Sequence, residues 1–217
     1  GTPTQEMVES YEKADGTKYD WSGYHNGSVK TRPDYESLEP RFKATVYYNG
    51  CTWGPDGDKI MDCTVNGTNG EFMKYGSAPY SYGKTTTAYF LRKFIDEKHT
   101  DLKGVKSTQT WVEMRYAEVL LNKAEAAYML KKSDYQAPMN EVRARVNLPA
   151  KSTTGEAWFK DYRNERKVEL AYEGHQFWDL RRWRIAHKDY PEGLNNYRCH
   201  AFRITGTTFN YEECDLK

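Results

Sequence analysis

Three glutamates, Glu165, Glu169 and Glu173, recur every fourth residue in the charged segment that runs from Tyr162 to His175. At helical spacing they line one face, and like charges in line repel unless cations intervene. Paired carboxylates suit general acid–base work, and carboxylates with histidine suit a di-metal centre. The metal option needs Glu-x-x-His, whereas His175 stands two residues after Glu173 across a glycine. Arg166, Arg181, Arg182 and Arg184 supply nearby positive charge, and Arg143 and Arg145 can reach across from a preceding helix. Planar guanidinium groups pair bidentately with carboxylates. The cluster Glu165, Arg166, Glu169, Glu173, Asp179, Arg181 and Arg182 is therefore read as a structural charge network, with no catalytic residue and no metal.

A second constellation is aromatic and polar. Trp21, Tyr24, His25 and Asn26 lie in a turn-rich stretch with no period that would bury their rings. Trp53 follows Asn49-Gly50 inside a Gly/Pro/Asp loop, and Tyr80 and Tyr82 sit in a loop of glycine, serine and proline. Rings beside Asn, Asp, Ser and His offer flat apolar faces to sugar C–H surfaces and polar groups to hydroxyls. The same rings suit peptide side chains, or they pack on their own loops. Trp21, Tyr24, His25, Asn26, Trp53, Tyr80 and Tyr82 are the candidate glycan contacts.

Other templates are missing. There is no nucleophile elbow, phosphate-binding glycine loop, dinucleotide fingerprint or His-Glu-x-x-His, and the five histidines are scattered, so no cofactor is expected. Cys51, Cys63, Cys199 and Cys214 fit no C-x-x-C pattern. Two local disulfides and four free thiols both remain open. No apolar run is long enough to cross a membrane, and the sequence from Gly1 shows no targeting signal, as for a chain whose signal was cut away or an internal fragment.

Lys and Arg total 32 against 31 acidic residues, a net charge of +1 in 217 residues, which argues against a nucleic-acid binder or a polybasic membrane-surface protein. Phe, Trp and Tyr total 32 and outnumber Ile, Leu and Val at 25, so rings must replace aliphatic bulk in the core. A surplus of rings is left for a binding surface.

The elements that position these groups fall into one unit with three stretches. Residues 1–110 hold 12 of the 16 glycines and read as loops with short strands, the best being Arg41–Tyr48; Ala88–Glu97 is a second regular piece of undecided type. Residues 111–190 read as helices. From Trp111, Val112, Tyr116, Val119, Leu120, Ala124 and Ala127 recur at helical spacing, with Ala117, Leu121 and Met129 widening the stripe to two covered sides. Shorter helices follow over Tyr135–Val146, from a capping box Thr153-x-x-Glu156 to Tyr172 with a stop at Gly174, and over Phe177–Ala186. Tyr116, Tyr128, Trp158, Phe177 and Trp183 are expected in the helical core. Residues 191–217 read as an irregular tail. The expected fold is mainly α, with tetratricopeptide-like antiparallel helix pairs (an alpha-alpha superhelix) packed on the loop-rich region.

Several stretches carry a resemblance. They are Pro3-Thr4-Gln5-Glu6, Asp15-Gly16-Thr17, Glu39-Pro40-Arg41-Phe42-x-Ala44-Thr45-Val46-Tyr47-Tyr48-Asn49-Gly50 and Tyr89-Phe90-Leu91-Arg92-Lys93. Further on come Arg115-Tyr116-Ala117-Glu118-Val119-Leu120-Leu121-x-x-Ala124-Glu125-Ala126, Val142-Arg143-Ala144-Arg145 and Glu165-Arg166-x-x-Glu169-Leu170-Ala171-x-Glu173-Gly174-His175-x-Phe177-x-Asp179-Leu180-Arg181-Arg182-Trp183. In this order they resemble the SusD/RagB-like outer-membrane nutrient-binding proteins. The resemblance implies a cell-surface lipoprotein of the outer membrane that holds an oligosaccharide for a SusC-like TonB-dependent transporter, without enzymatic activity. It implies membrane attachment only through a lipid anchor that this chain does not carry. It also implies that the chain corresponds to the C-terminal half of such a protein, short of its last segment. A peptide-binding member and a scaffold that contacts only proteins are the alternatives. The motifs that mark the family do not select the ligand, so no binding residue is carried over from it.

Overall fold

The computed structural model describes residues 2–68, 70–71, 84–99, 107–186 and 199–214. Six helices and seven short strands alternate unevenly along these residues, and helical residues outnumber strand residues.

The first part of the chain is loop-rich. It contains α1 (Gln5–Val8), β1 (Ser28–Val29), α2 (Pro40–Thr45), β2 (Val46–Tyr48), β3 (Thr52–Trp53), β4 (Lys59–Ile60) and β5 (Tyr89–Leu91). The expected strand Arg41–Tyr48 is corrected here: its first half is helix α2, and only Val46–Tyr48 is strand. Pro40 at the first helical position explains the change, because its fixed φ is preorganised for a helix and its missing N–H is not needed there. Phe42 and Thr45 are then buried at helical spacing, and Arg41 is buried with them. Strand β2 pairs antiparallel with β5, and β3 with β4.

The second part is helical: α3 (Tyr116–Met129), α4 (Gln136–Ala144), α5 (Gly155–Glu169) and α6 (His175–Arg182). The first begins later than the pattern from Trp111 implied. The capping box is absent: Thr154 is the N-cap residue and makes no side-chain cap, while Thr153 Oγ1 donates to Asp161 Oδ2 at 2.7 Å. Helix α5 stops at Glu169, and Tyr172 and Gly174 turn the chain with φ of +64° and +84°. Helices α3 and α4 pack side by side, and α5 lies against α3.

The expected irregular tail is also corrected. Cys199–Thr205 (β6) and Thr208–Cys214 (β7) form an antiparallel hairpin around Gly206, and β1 joins its outer side to give the order β1-β7-β6. Ala201, Phe202, Ile204 and Phe209 are buried in it.

Two cores result. The first is built from rings contributed by distant segments: Tyr11, Trp21, Tyr35, Phe42, Tyr48, Tyr89, Phe202 and Phe209, with Val8, Val46 and Ile204. Tyr35 stacks on Phe42 with centroids 5.6 Å apart, and its hydroxyl meets that of Tyr89 at 2.8 Å. Tyr89 in turn donates to Gln5 Oε1 at 2.7 Å. The second core joins the helices through Leu120, Leu121, Ala124, Met139, Val142, Trp158, Tyr162 and Leu170. Tyr128 and Trp183 pack against its edge, whereas Tyr116 and Phe177 do not build it and are 67% and 50% exposed. Among the described residues only one side of α3 is covered, since Val119 and Met129 are also exposed.

A loop contact closes the gap between the two parts. Gly16 has φ of +77°, and a Cβ there would stand 2.5 Å from Pro149 Cγ, so only glycine permits this approach.

Candidate functional site

Glu165 and Glu169 lie on the buried side of α5, at the junction of the two cores, and Glu173 follows in the turn after it. Arg41 enters from α2, and its Nη1 donates to Glu165 Oε1 at 2.6 Å and to Glu169 Oε2 at 2.9 Å. Its Nε donates to Glu39 at 2.5 Å. Arg143 from α4 takes the other oxygen of Glu165 at 2.7 Å and reaches Glu12 at 2.9 Å, where Lys151 also pairs at 2.6 Å. Arg115, just before α3, binds Glu169 at 2.5 Å and both oxygens of Glu173 at 2.8 Å. Arg145 and Lys93 complete the set, on Glu169 and Glu173 respectively.

A second knot lies on the other side of α5. Arg166 Nε donates to Asp179 at 2.7 Å and its Nη1 to Asn122, while Arg182 bridges Asp179 and Glu125. Trp183 Nε1 and the Tyr162 hydroxyl also donate to Glu125, each at 2.8 Å. Arg181 does not belong to this knot. Two residues beyond Asp179 it faces the other way, stacks on the Phe177 ring 3.3 Å from the centroid, and donates to the Phe177 carbonyl.

Burial and the neighbouring cations shift several of these carboxyls in opposite directions. Burial pushes the Glu169 carboxyl up, but the Arg115 hydrogen bond with the Arg41, Arg115 and Arg145 charges brings it below the ordinary glutamate range. Glu173 and Glu125 are lowered in the same way, against burial, by hydrogen bonds from Arg115 and Lys93 and from Arg182, Trp183 and Tyr162. Glu39 is the exception, raised because burial outweighs its single arginine. Carboxylates fixed as anions by guanidinium partners are poor proton shuttles.

The aromatic candidates are dispersed by the fold. Trp21 is a correction: it is 5% exposed, belongs to the first core, and packs on Tyr19 at 4.5 Å and Tyr24 at 5.9 Å. Its turn-rich surroundings hid the fact that the neighbouring loops, through Tyr19, Tyr24 and Tyr35, fold over its ring. Trp53 is half-buried against the same core, with Lys59 Nζ 4.7 Å from its ring centroid. Tyr24 is half-buried, and burial with a Tyr19 hydrogen bond pushes its hydroxyl up to about 12, so it stays a neutral donor. His25 and Asn26 are exposed. Tyr80 and Tyr82 lie outside the described residues.

Around His25 the structure assembles a surface that the spacing did not reveal. His25 lies 4.8 Å from the Tyr211 ring, and His200 stacks on the same ring at 4.6 Å and 11°. Beneath them α1 and the residue after it supply two carboxylates: Glu9 meets His25 Nε2 at 2.7 Å, and Glu6 meets His200 Nδ1 at 2.6 Å. Tyr211 and His200 belong to the hairpin that was read as an irregular tail, so nothing in the local pattern linked them to residue 25. The alternation Phe202, Ile204 against Arg203, Thr205 was the available signal.

Known proteins share this architecture. The chain is 27% identical to a SusD-like protein of Bacteroides fragilis whose crystal structure superposes with a TM-score of 0.81, covering 100% of this chain and 41% of that one. A second crystal structure from the same organism, described as a SusD-like carbohydrate binding protein, is 27% identical with a TM-score of 0.66, over 92% of this chain and 37% of that one. SusD-like protein P2 of Formosa agariphila is 34% identical over 147 residues, which are 62% of this chain and 29% of that protein. The chain thus spans less than half the length of these relatives. The model of the SusD family matches residues 1–215. The chain belongs to the SusD family.

Proposed function

We propose that the longer protein to which this chain corresponds binds an oligosaccharide at the cell surface and passes it, unmodified, to a SusC-like TonB-dependent transporter. In this reading it is an outer-membrane lipoprotein, needs no cofactor and contacts no nucleic acid. Family membership across residues 1–215 carries the reading, and the carbohydrate-binding description of one relative supports it. No helix among the described residues is long and apolar enough to cross a membrane.

Within this chain, Tyr24, His25 and Asn26 are the contacts the geometry favours, with Tyr211 beside them. They combine a neutral hydroxyl, an imidazole edge and a carboxamide on an exposed strip, the polar groups that sugar hydroxyls require. Trp53, half-buried against the first core, and Tyr80 and Tyr82 remain candidates. The α3–α4 pair is this chain's part of a tetratricopeptide-like superhelix, completed by helices of the longer protein.

The full-length protein should be retarded in a native gel containing its polysaccharide. A His25→Ala, Asn26→Ala double variant should lose most of that retardation while its circular dichroism and Tm stay unchanged. Unaltered migration of this variant and of Trp53→Ala removes the site assignment. The second reading, a scaffold for other proteins, is favoured by the apolar surface of Tyr116, Val119, Phe177 and Trp178. Calorimetric silence against glycans, with transporter binding intact, would select it; heat on titrating peptides would select the peptide-binding variant.

A further inference from the structure

The four cysteines are not equivalent in placement. Cys199 opens β6 and Cys214 closes β7, and the two are direct Cα partners in the antiparallel ladder. Residues so paired have Cα atoms about 4.5–5.5 Å apart, within the span that a disulfide bridges.

The register that opposes them is held at several points. The turn at Gly206, with φ of +58°, closes the hairpin. Phe202 packs on both Phe209 and Tyr211, at 5.6 and 6.0 Å, and Ile204 opposes Phe209. At the open end, Glu6 accepts from the His200 backbone N–H at 2.9 Å, one residue from Cys199. Slipping the pairing by one residue would turn the buried side chains of a strand to the other face, so the two thiols are kept opposite each other.

Cys51 and Cys63 lack this arrangement. In the β3–β4 ladder Cys51 stands beside Met61, whose N–H bonds the Cys51 carbonyl at 2.9 Å, and Cys63 is two residues further on, bonded to the Asn49 side chain. The Cys51 sulfur instead accepts from the Tyr48 N–H at 3.3 Å.

We infer that Cys199 and Cys214 are a disulfide-forming pair that staples the open end of the C-terminal hairpin. Their exposures suit a two-step exchange with a disulfide oxidant. Cys214, the partly exposed thiol, attacks a sulfur of the oxidant as its thiolate and expels one oxidant thiolate, leaving a mixed disulfide. The buried Cys199 thiolate then attacks the Cys214 sulfur and expels the second oxidant thiolate. One S–S bond forms and one breaks, the two cysteines lose two electrons and two protons in all, and the oxidant is reduced to two thiols. The Cys199 thiol beside it and burial hold the free Cys214 thiol above the ordinary cysteine range, which makes the first attack the slow step.

Trypsin cleavage after Arg198 and Arg203 puts the two cysteines on separate peptides. The folded protein is incubated with oxidised glutathione, alkylated, denatured, alkylated again and digested without reduction. The expected result is a species joining residues 199–203 to residues 204–217, which is lost on reduction. Recovery of the two peptides separately, alkylated or capped by glutathione, overturns the pairing, as does linkage of Cys199 to Cys51 or Cys63. In Cys199→Ala the residue 204–217 peptide should carry a glutathione cap in place of the link. A closed internal bond should also resist dilute thiol reductant at least tenfold better than that cap, and equal sensitivity counts against the staple.

Discussion

The two cores of this molecule are held together by opposite means. The helical core gathers neighbours in sequence, with Leu120, Leu121 and Ala124 on one helix facing Met139 and Val142 on the next. The ring core collects Tyr11, Tyr35, Phe42, Tyr89 and Phe202 from segments up to 191 residues apart, each ordered by the others. Between them runs a seam of buried charge, where Arg41 from one side and Arg143 from the other share Glu165. Apolar packing can join any two faces of the right shape. A buried ion-pair seam instead joins only the intended pair, because a wrong docking leaves charges unpaired.

The largest test of this contrast is Arg41→Ala. It strips Glu39 of its arginine and removes one cation each from Glu165 and Glu169 in a buried site, and urea denaturation should show a loss of about 3–5 kcal/mol. A loss below about 1 kcal/mol would mean that the cores dock without the seam. Acid should act next, through the same groups. Glu169, Glu173 and Glu125 are lowered in the folded state, so their contribution is full above the unfolded glutamate value of about 4.3 and is lost as pH falls through the depressed folded values. Glu39, raised by burial, works in the opposite sense and softens the fall. Urea midpoints between pH 6 and pH 3 should decline, and less steeply in Glu169→Gln, which begins from a lower stability.

Inside the ring core, Tyr89→Phe removes the hydroxyl that joins Tyr35 to Gln5 and should cost about 1–3 kcal/mol, read by thermal or urea unfolding. No change would show that this core depends on ring shape alone. The smallest effect belongs to Arg181→Ala, which lies outside the Asp179 knot and should shift stability by no more than about 0.5 kcal/mol. A larger loss would return Arg181 to the network.

Legibility in the sequence divides along the same line. Helices α3 to α6 were visible because their buried residues recur within one element, as Leu120, Leu121 and Ala124 do. Segment 41–48 was misread because Phe42, Ala44 and Val46 also satisfy a two-residue alternation, and Pro40 was the overlooked signal for a helix start. The glutamate ladder was visible at Glu165, Glu169 and Glu173, but two of its main cations were not, since Arg41 and Arg115 stand 124 and 54 residues from carboxylates they bind. Trp21 lost its place as a candidate contact for a related reason: its partner Tyr35 comes from another loop, which a local window treats as solvent.

The hairpin of β6 and β7 also sets an order of events. Phe202, Ile204 and Phe209 belong to the ring core, and β7 pairs with Ser28 and Val29 near the start of the chain. Synthesis running from α1 towards β7 therefore leaves the ring core incomplete until β7 is made. Residues 116–170 can close the helical core earlier, because every contact it needs has already been made. The rings that give this protein its unusual composition are thus the last to leave water.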